Sequence, residues 1–342
     1  MRIILDAMGG DNAPQAPVMG ALQAAKDFGA QIILVGRGEE ILQVMRSQGY
    51  NDLPEGIEIA HADEVVDMHD DPANVIRKKK NSSMVIGLKM LSDGLGDAFV
   101  SAGSTGALLS GATLLVKRVK GIRRAAMGPT MPNKAGGKTV ILDCGANAEC
   151  TPEFLLQFGL IGSIYAKKCL GVENPKVGLL NIGAEDSKGT PLQKEAYALL
   201  KDASDKGIIN FVGNTEARDV PMGAVDVIVC DGFAGNVLLK SIDGTAMFMG
   251  SLISKMFKKS ILSKLSAALV MKDIKAFKKL LDYREIGGTP FLGIRKSVIK
   301  AHGSSDALAF RNAIHQAMNT PDISKELEEG LAKLSNKENT DD

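Results

Sequence analysis

Glycine, hydroxyl, amide and charged residues cluster directly after short apolar runs at several points of this chain. The first cluster, Gly9-Gly10-Asp11-Asn12, follows the apolar residues 3 to 5. The later candidates for a binding site are Gly103, Ser104, Thr105, Gly106, Asn147, Lys188, Gly235, Asn236, His302 and Ser304. Glycine lets a backbone approach a ligand closely, and free N–H groups together with hydroxyls bind anions. A tight turn would explain one such loop, but the repetition indicates a site for a phosphate-sized anion, with Lys188 as the point charge.

Short apolar runs alternate with helical patterns along most of the chain. Strands are predicted near residues 2–6, 31–35, 57–60, 97–101, 139–143, 176–181, 208–212 and 225–230, with an extended segment at 291–301 and a helix to about Met318. This alternation predicts an α/β fold with a mostly parallel sheet covered by helices. Ligands of such sheets bind outside the carboxyl ends of the strands, so the polar loops are expected to meet at one edge.

The chain shows no linker rich in proline, glycine or serine that would divide it into independent parts. Residues 1–334 are therefore predicted to form a single α/β domain, which includes a helical excursion at about 245–282 where the strand rhythm stops. Residues 335–342 are polar and are expected to be a frayed tail.

Composition and spacing exclude several classes of function. Lys and Arg number 41 against 40 Asp and Glu, and there is no Trp, which argues against a nucleic-acid partner. Neither Gly36-Arg37-Gly38 nor Gly137-Lys138-Thr139 completes a nucleotide-binding motif. The four Cys and four His residues show no metal-ligand spacing, so no metal and no cofactor are predicted. No apolar run reaches the ~20 residues of a membrane span.

Single residues in the loops allow more than one interpretation. His302 is a candidate general acid or anion donor, or else a structural histidine. Cys144 is a reactive thiol or, more simply, a small apolar residue at a strand end. Asp11 or Asn12 is expected to cap the helix that carries Pro14, and Ser82 to cap a helix that begins near it.

A basic segment lies within the helical excursion. Between Lys255 and Lys279 there are eight Lys and one acid, and apolar residues recur at helical spacing. The candidate docking residues are Lys255, Phe257, Lys258, Ile261, Leu265 and Leu269. A basic amphipathic helix fits a membrane surface or an acidic partner, whereas an apolar stripe at a dimer interface fits equally well. Arg77-Lys78-Lys79-Lys80 is a second docking candidate, or an ordinary solvated helix start.

The loops together resemble one known family. The motifs that carry the resemblance are Ile4–Pro14, Ser101–Ala107, Asn181–Gly189, Phe211–Glu216, Asp231–Asn236 and His302–Asp306, and the match runs from Met1 to about Met318. They are similar to those of the bacterial phosphate acyltransferase of phospholipid synthesis. The resemblance implies a three-layer α/β/α sandwich similar to isocitrate dehydrogenase and phosphotransacetylase, and a homodimer.

The resemblance also implies an activity. A fatty acyl group would pass from acyl carrier protein to inorganic phosphate, and the acyl phosphate would go to a membrane glycerol-3-phosphate acyltransferase. This places the enzyme in the cytoplasm, with peripheral contact at the inner face of the membrane. Lys188 would help to hold the attacking phosphate, and Asn236 would donate to the oxyanion. Asp6, Asp143, Asp186 and Asp231 would orient these donors or cap helices. The alternatives are an acyl-CoA-dependent phosphotransacylase and a non-catalytic lipid- or carrier-binding scaffold.

Overall fold

A computed structural model describes residues 1–67 and 69–335. The strands are β1 (Arg2–Asp6), β2 (Gln31–Gly36), β3 (Ile57–His61), β4 (Ala98–Ser101), β5 (Ala126–Met127), β6 (Thr130–Pro132), β7 (Lys138–Leu142), β8 (Lys176–Asn181), β9 (Asn210–Glu216), β10 (Val227–Val229), β11 (Thr289–Leu292) and β12 (Ser297–Lys300). The helices are α1 (Gln15–Phe28), α2 (Gly38–Ser47), α3 (Val75–Lys78), α4 (Ser83–Ser92), α5 (Thr105–Gly111), α6 (Pro152–Leu170), α7 (Pro191–Asp205), α8 (Gly232–Lys258), α9 (Ile261–Leu269), α10 (Met271–Leu281), α11 (Tyr283–Ile286), α12 (Ala307–Met318) and α13 (Ser324–Ser335). A π-helical turn at Ala112–Val116 continues α5, and a 3₁₀ turn spans Ala217–Asp219.

The strands divide between two sheets. The first has the order β3-β2-β1-β4-β12-β11-β5, and the second has the order β6-β7-β10-β8-β9. The pairs from β3 to β12 are parallel, and so are those from β7 to β9, whereas β11, β5 and β6 pair antiparallel. The predicted α/β fold with mostly parallel strands is therefore confirmed.

Helices cover both faces of each sheet. In β1, Ile3 and Leu5 face the core formed with α1 and α12, whereas Ile4 faces the core formed with α4 and α5. In the second sheet, the side chains of Val227 and Val229 pack with α6 and α7, while the side chain of Ile228 faces α8. Strands buried on both faces need continuous apolar runs, and this is why the sequence shows them so clearly.

The segment from Ala126 to Pro132 joins the two sheets. Met127 pairs with Phe291 in the first sheet, and its N–H donates to Asp143 Oδ1 at 2.8 Å, at the end of β7. The N–H of Ile141 donates to Pro129 O at 3.0 Å. Strands of two and three residues carry no readable periodicity, so β5 and β6 were not predicted from the sequence.

Several predicted boundaries differ from the structure. The extended segment at 291–301 is two antiparallel strands, because Gly293 adopts a φ of 87° and turns the chain between β11 and β12. The excursion at 245–282 is not one helix: α8 begins at Gly232, and Ser260 starts α9 by accepting the N–H of Ser263 at 3.1 Å. Of the expected tail, Ser335 ends α13, and residues 336–342 lie outside the described residues.

Helix α8 is longer and more apolar than the sequence analysis expected. With 27 residues, it is the one helix in the described part of the chain that could cross a membrane by length and composition. Glycine, serine and threonine interrupt its apolar residues, so no continuous apolar run marks it in the sequence. Length and composition alone are weak evidence for a membrane span, and the first turns of α8 lie against the second sheet, where Gly232, Gly235 and Leu238 are buried.

Candidate active site

Three loops that follow β1, β4 and β12 form the first loop cluster, which comprises Asp6–Asn12, Ser101–Gly106 and Lys300–Asp306. Its centre is the buried carboxylate of Asp6, which accepts the Ser101 hydroxyl at 2.7 Å. Gly9 lies against this pair, and an added Cβ would stand 2.6 Å from Asp6 Oδ2 and 2.8 Å from Gly103 N. Only glycine fits there, so the loops after β1 and β4 can pack this closely.

The loop after β12 completes this cluster. The N–H of Asp11 donates to Gly303 O at 2.8 Å, and Asn12 Nδ2 donates to the carbonyls of Ser304 and Ser305 at 3.2 Å. The prediction that Asp11 or Asn12 caps the first helix is wrong: α1 begins at Gln15, and its N-cap residue Pro14 has no side-chain cap. These two polar residues are engaged by the neighbouring loop instead.

Lys300 is a residue of this cluster that the sequence analysis missed. It ends β12 with 8% of its surface exposed, and its Nζ donates to the carbonyl of Ala102 at 3.3 Å and to that of Ala301. Burial lowers the pKa of the ammonium group to about 8, although the carboxylates of Asp11 and Asp6 act in the opposite direction. A lysine directly after the apolar pair Val298-Ile299 was the available signal, because buried strands seldom contain one.

Loops that follow β7, β8 and β10 form the second loop cluster, which comprises Asp143–Asn147, Asn181–Thr190 and Asp231–Asn236. Asp143 is buried and accepts four hydrogen bonds, from the N–H groups of Met127, Cys144 and Asn147 and from the Asn147 amide. The N–H of Gly232 donates to Asn147 O at 2.7 Å. These bonds fix the start of α8 beside the end of β7.

Asn236 lies near the start of α8, which Asp231 caps by accepting the N–H of Ala234 at 2.8 Å. The Asn236 side chain is half-buried, and its Cγ lies 3.9 Å from the position that a Cβ on Gly145 would occupy. Gly145 adopts a φ of 101°, which favours glycine. The amide group therefore stands in the gap between the loops of β7 and β10.

Lys188 lies in the loop after β8, the strand that neighbours β10 in the sheet. Asn214 Nδ2 donates to Glu185 O at 2.7 Å, and Asn181 Nδ2 donates to Lys188 O at 3.2 Å, so this loop is held at both ends. The side chain of Lys188 is 48% exposed, and its Nζ lies 4.0 Å from Glu185 Oε1. The structure thus brings the Lys188 and Asn236 loops to the same sheet edge, and no hydrogen bond between the two side chains occurs in the described chain.

Helix α8 connects the two loop clusters. Burial raises the pKa of Asp243 on this helix, and His302 of the first cluster lies near enough to act in the opposite direction. The N–H of Ser304 donates to His302 Nδ1 at 3.3 Å, and the Ser304 hydroxyl lies 2.9 Å from the same nitrogen.

Cys144 is buried directly after Asp143 in the loop that follows β7. Burial, with Asp143 and Asp243, raises the pKa of the Cys144 thiol to about 12. The thiol therefore stays protonated at neutral pH, which supports the small apolar role rather than the reactive one. Among residues 1–67 and 69–335, no group of three His, Cys, Asp or Glu side chains could hold a metal ion.

The predicted docking residues lie apart from both clusters. Ile261, Leu265 and Leu269 on α9 are 78%, 61% and 89% exposed. Lys255 and Lys258 at the end of α8 are exposed, and Phe257 between them is half-buried. The apolar stripe is therefore not covered by the rest of the chain.

The chain was compared with known proteins and solved structures. A family model described as "Fatty acid synthesis protein" matches residues 1–323. The chain is 47% identical over 340 residues to a phosphate acyltransferase of Alkaliphilus oremlandii, with 99% of each chain covered. It is 45% identical over 318 residues to one of Clostridioides difficile, with 93% of this chain and 92% of the relative covered.

Solved structures with the same fold are more distant in sequence. The EutD phosphotransacetylase of Staphylococcus aureus superimposes with a TM-score of 0.58 at 15% identity and covers 93% of this chain and 94% of its own. A phosphotransacetylase of Streptococcus pyogenes gives a TM-score of 0.58 at 17% identity, over 96% and 94% of the two chains. These structures show the fold, and the sequence relatives show the activity class. The chain belongs to the phosphate acyltransferase family and is an acyltransferase of fatty acid and lipid synthesis.

Proposed function

We propose that this enzyme transfers a fatty acyl group from acyl carrier protein to inorganic phosphate by direct attack on the thioester. The observation that carries the proposal is the placement of Lys188 and Asn236 after neighbouring parallel strands, at the edge where the loops gather. The identity of the acyl donor and the later use of the acyl phosphate are both taken from the family resemblance. Acyl phosphate would then serve phosphatidic acid synthesis through a membrane glycerol-3-phosphate acyltransferase.

In the proposed reaction, a phosphate oxygen attacks the thioester carbonyl carbon and forms the new C–O bond. Lys188 and loop N–H groups hold the phosphate dianion, while the Asn236 amide donates to the carbonyl oxygen as it becomes an oxyanion. The tetrahedral intermediate then expels the carrier thiolate as the C–S bond breaks, and the thiolate takes a proton. Loops of both clusters would complete the binding site. The residues proposed for it are Gly9, Gly10, Asp11, Asn12, Gly103, Ser104, Thr105, Gly106, His302 and Ser304 in the first cluster, and Asn147 and Gly235 in the second.

The test is release of free thiol from a long-chain acyl carrier protein with and without inorganic phosphate, with acyl-CoA as the parallel donor. We expect phosphate-dependent release from the carrier. Preference for acyl-CoA would point to a phosphotransacylase, and no release from either donor would point to a non-catalytic scaffold.

Two variants test the assigned residues. Lys188→Ala and Asn236→Ala are each expected to lower turnover by at least about a hundredfold. Loss of the Asn236 oxyanion donor typically costs about 3 kcal/mol, and loss of Lys188 removes the positive charge that holds the attacking phosphate. Lys194→Ala, an exposed lysine on α7, is the matched control and should retain activity. Near-normal turnover of either site variant, in folded protein, would overturn its assignment.

We further propose that this enzyme is cytoplasmic and attaches peripherally to the inner face of the cell membrane through residues 250–281. Exposed Ile261, Leu265 and Leu269 offer apolar area, and the nearby lysines suit anionic headgroups. Flotation with liposomes that contain anionic lipid should carry the wild-type protein, and Leu265→Glu should abolish flotation. Leu53→Glu, on a distant exposed loop, is the control.

A homodimer whose interface is this stripe is the competing explanation. Light scattering would then show a dimer that Leu265→Glu converts to a monomer, with no flotation of the wild-type protein. A dimer that persists in the variant, with flotation lost, would support the membrane role.

A further inference from the structure

A basic groove lies beside the second loop cluster and shares Asn147 with it, whereas the arginines of the groove have no part in the chemistry described above. Its volume is about 380 Å³, and residues from four segments line it. The lining residues that matter here are Arg77, Ser110, Thr113, Arg118, Arg124 and Asn147. We call this cavity the arginine groove. It accounts for one member of the basic run 77–80, which the sequence analysis could not assign.

The three guanidinium groups of the arginine groove lack acidic partners. No ion pair to a carboxylate involves Arg77, Arg118 or Arg124 among the residues that the structure describes. Like charges around one cavity repel each other unless an anion binds between them. Guanidinium groups bind phosphate oxygens in a planar, bidentate geometry, so three of them around one groove suit a ligand that carries a phosphate group.

Hydrogen bonds connect the arginine groove to the candidate active site. Asn147 Nδ2 donates to Ala125 O at 2.8 Å, which holds the residue after Arg124 against the loop of β7. Asn147 is also bonded to Asp143, and Gly145, two residues before it, faces Asn236. One wall of the groove is therefore part of the loop after β7, which faces the proposed oxyanion donor Asn236 through Gly145.

The remaining walls are partly apolar. Leu109 and Leu114 line the groove next to the hydroxyls of Ser110 and Thr113, on the helix that begins in the first loop cluster. Apolar and cationic groups side by side suit a phosphate that is esterified to an organic chain, rather than free inorganic phosphate. Acyl carrier proteins present the thioester on such a chain, a pantetheine arm joined through a phosphodiester.

We propose that the arginine groove binds the phosphate of the pantetheine arm and so directs the thioester toward Asn236. This inference rests on the proposed function, because it assumes a carrier-bound donor. Arg77 and Arg124 would hold the phosphate, since both are exposed at the groove. Arg118 would stay in place through its bond to the carbonyl of Arg123 and supply positive charge.

Calorimetric binding of 4′-phosphopantetheine and of pantetheine tests the groove without any need for turnover. Wild-type protein should bind the phosphorylated compound at least about tenfold more tightly, as expected for charge-assisted hydrogen bonds to two guanidinium groups. The double variant Arg77→Gln/Arg124→Gln should lose this preference. Arg46→Gln, in the last turn of α2 at the opposite end from the strand carboxyl edge, is the control and should keep it.

The turnover of the same double variant is then measured with acylated acyl carrier protein as the donor. The KM for this donor should rise at least about tenfold relative to wild-type protein. Equal binding of the two compounds by wild-type protein, or a preference that survives in the double variant, would overturn the proposal. A loss with carrier but not with free phosphopantetheine would mean that the arginines contact the carrier surface, which also overturns it. A matching rise in KM for inorganic phosphate would assign the groove to that substrate instead.

Two controls accompany these binding and kinetic measurements. Thermal melting checks that the double variant is folded, and Arg77→Lys/Arg124→Lys, which keeps the charge, should restore part of the preference. If wild-type protein binds phosphopantetheine selectively but releases no thiol from the carrier, the proposed function fails while the groove stands. If it turns over the carrier without binding phosphopantetheine, the groove fails alone.

Discussion

At the scale of single residues, Gly9 and Lys300 show how closely the first loop cluster is assembled. Gly9 touches the Asp6–Ser101 pair, and Lys300 ties the end of β12 to the loop after β4. Gly9 has no room for a side chain, and the buried Lys300 side chain cannot move without displacing a loop. Changes at these positions should therefore affect the site first.

Gly9→Ala is expected to lower kcat/KM by about tenfold or more and to destabilise the fold by about 1–3 kcal/mol, because the new methyl group overlaps backbone and a carboxylate. Gly38→Ala is the matched control, since an added Cβ there meets its nearest neighbour at an ordinary 3.7 Å. Steady-state kinetics and urea unfolding of both variants check the prediction. Equal behaviour of the two variants would contradict it.

Lys300 predicts a pH dependence of stability. Its pKa is about 8 in the folded protein against 10.5 for a free lysine, so between these values the unfolded chain binds one more proton. The contribution of Lys300 to the free energy of unfolding must then rise with pH through this window. Relative to Lys300→Met, the wild-type protein should gain about 2 kcal/mol between pH 8 and 9.5.

Urea unfolding at both pH values measures this difference. The control pair is wild-type protein and Lys89→Met, in which an exposed lysine on α4 is replaced. A difference between wild-type protein and Lys300→Met that stays constant with pH would show that the ammonium group is not desolvated in the folded state.

At the scale of elements, α8 is the helix on which the proposed mechanism depends. Its first turns carry Asn236, its middle carries Asp243 opposite His302, and its last turn leads to the exposed stripe of α9. The same helix therefore links the loops of both sheets to the proposed membrane surface.

Asp231→Ala should weaken the start of α8, because the bond to the Ala234 N–H is lost. The expected loss is about 1 kcal/mol of the free energy of unfolding, with a larger fall in kcat since Asn236 is carried by this turn. Asp231→Ser, which can cap the same N–H, should restore most of both. A variant with serine that is as impaired as the one with alanine would show that Asp231 acts through its charge.

At the scale of the whole molecule, the segment 126–132 couples the two sheets. It pairs with β11 and with β7, and Met127 also bonds to the buried Asp143. This coupling between the sheets supports the prediction that residues 1–334 form a single domain.

We expect amides of β1 and β10 to exchange with solvent at the same free energy of opening, as parts of one cooperative unit. Asp143→Ala leaves buried N–H groups unpaired and should cost about 3 kcal/mol. It should also let β10 open at a lower free energy than β1. Hydrogen exchange measures both, and separate opening of the two sheets in the wild-type protein would contradict the single domain.

The class of fold and the positions of the candidate site loops could be predicted from the sequence alone. Parallel strands buried on both faces need continuous apolar runs, and the loops at their carboxyl ends need glycine and small polar residues, so both leave local patterns. The family relationship followed from the same loops. The helix caps at Ser82 and Asp231 could also be predicted from the sequence, because a capping side chain accepts a hydrogen bond from a residue only three positions along the chain.

How these elements combine depends on contacts that appear only in the folded chain. The division into two sheets depends on strands of two and three residues, and the engagement of Asn12 by Ser304 joins positions far apart in the chain. Lys300 was missed because its partners are carbonyls of another loop, and the arginine groove because its residues come from four segments. Local patterns record the periodicity of single elements, whereas contacts between distant elements depend on packing that no short stretch of sequence contains.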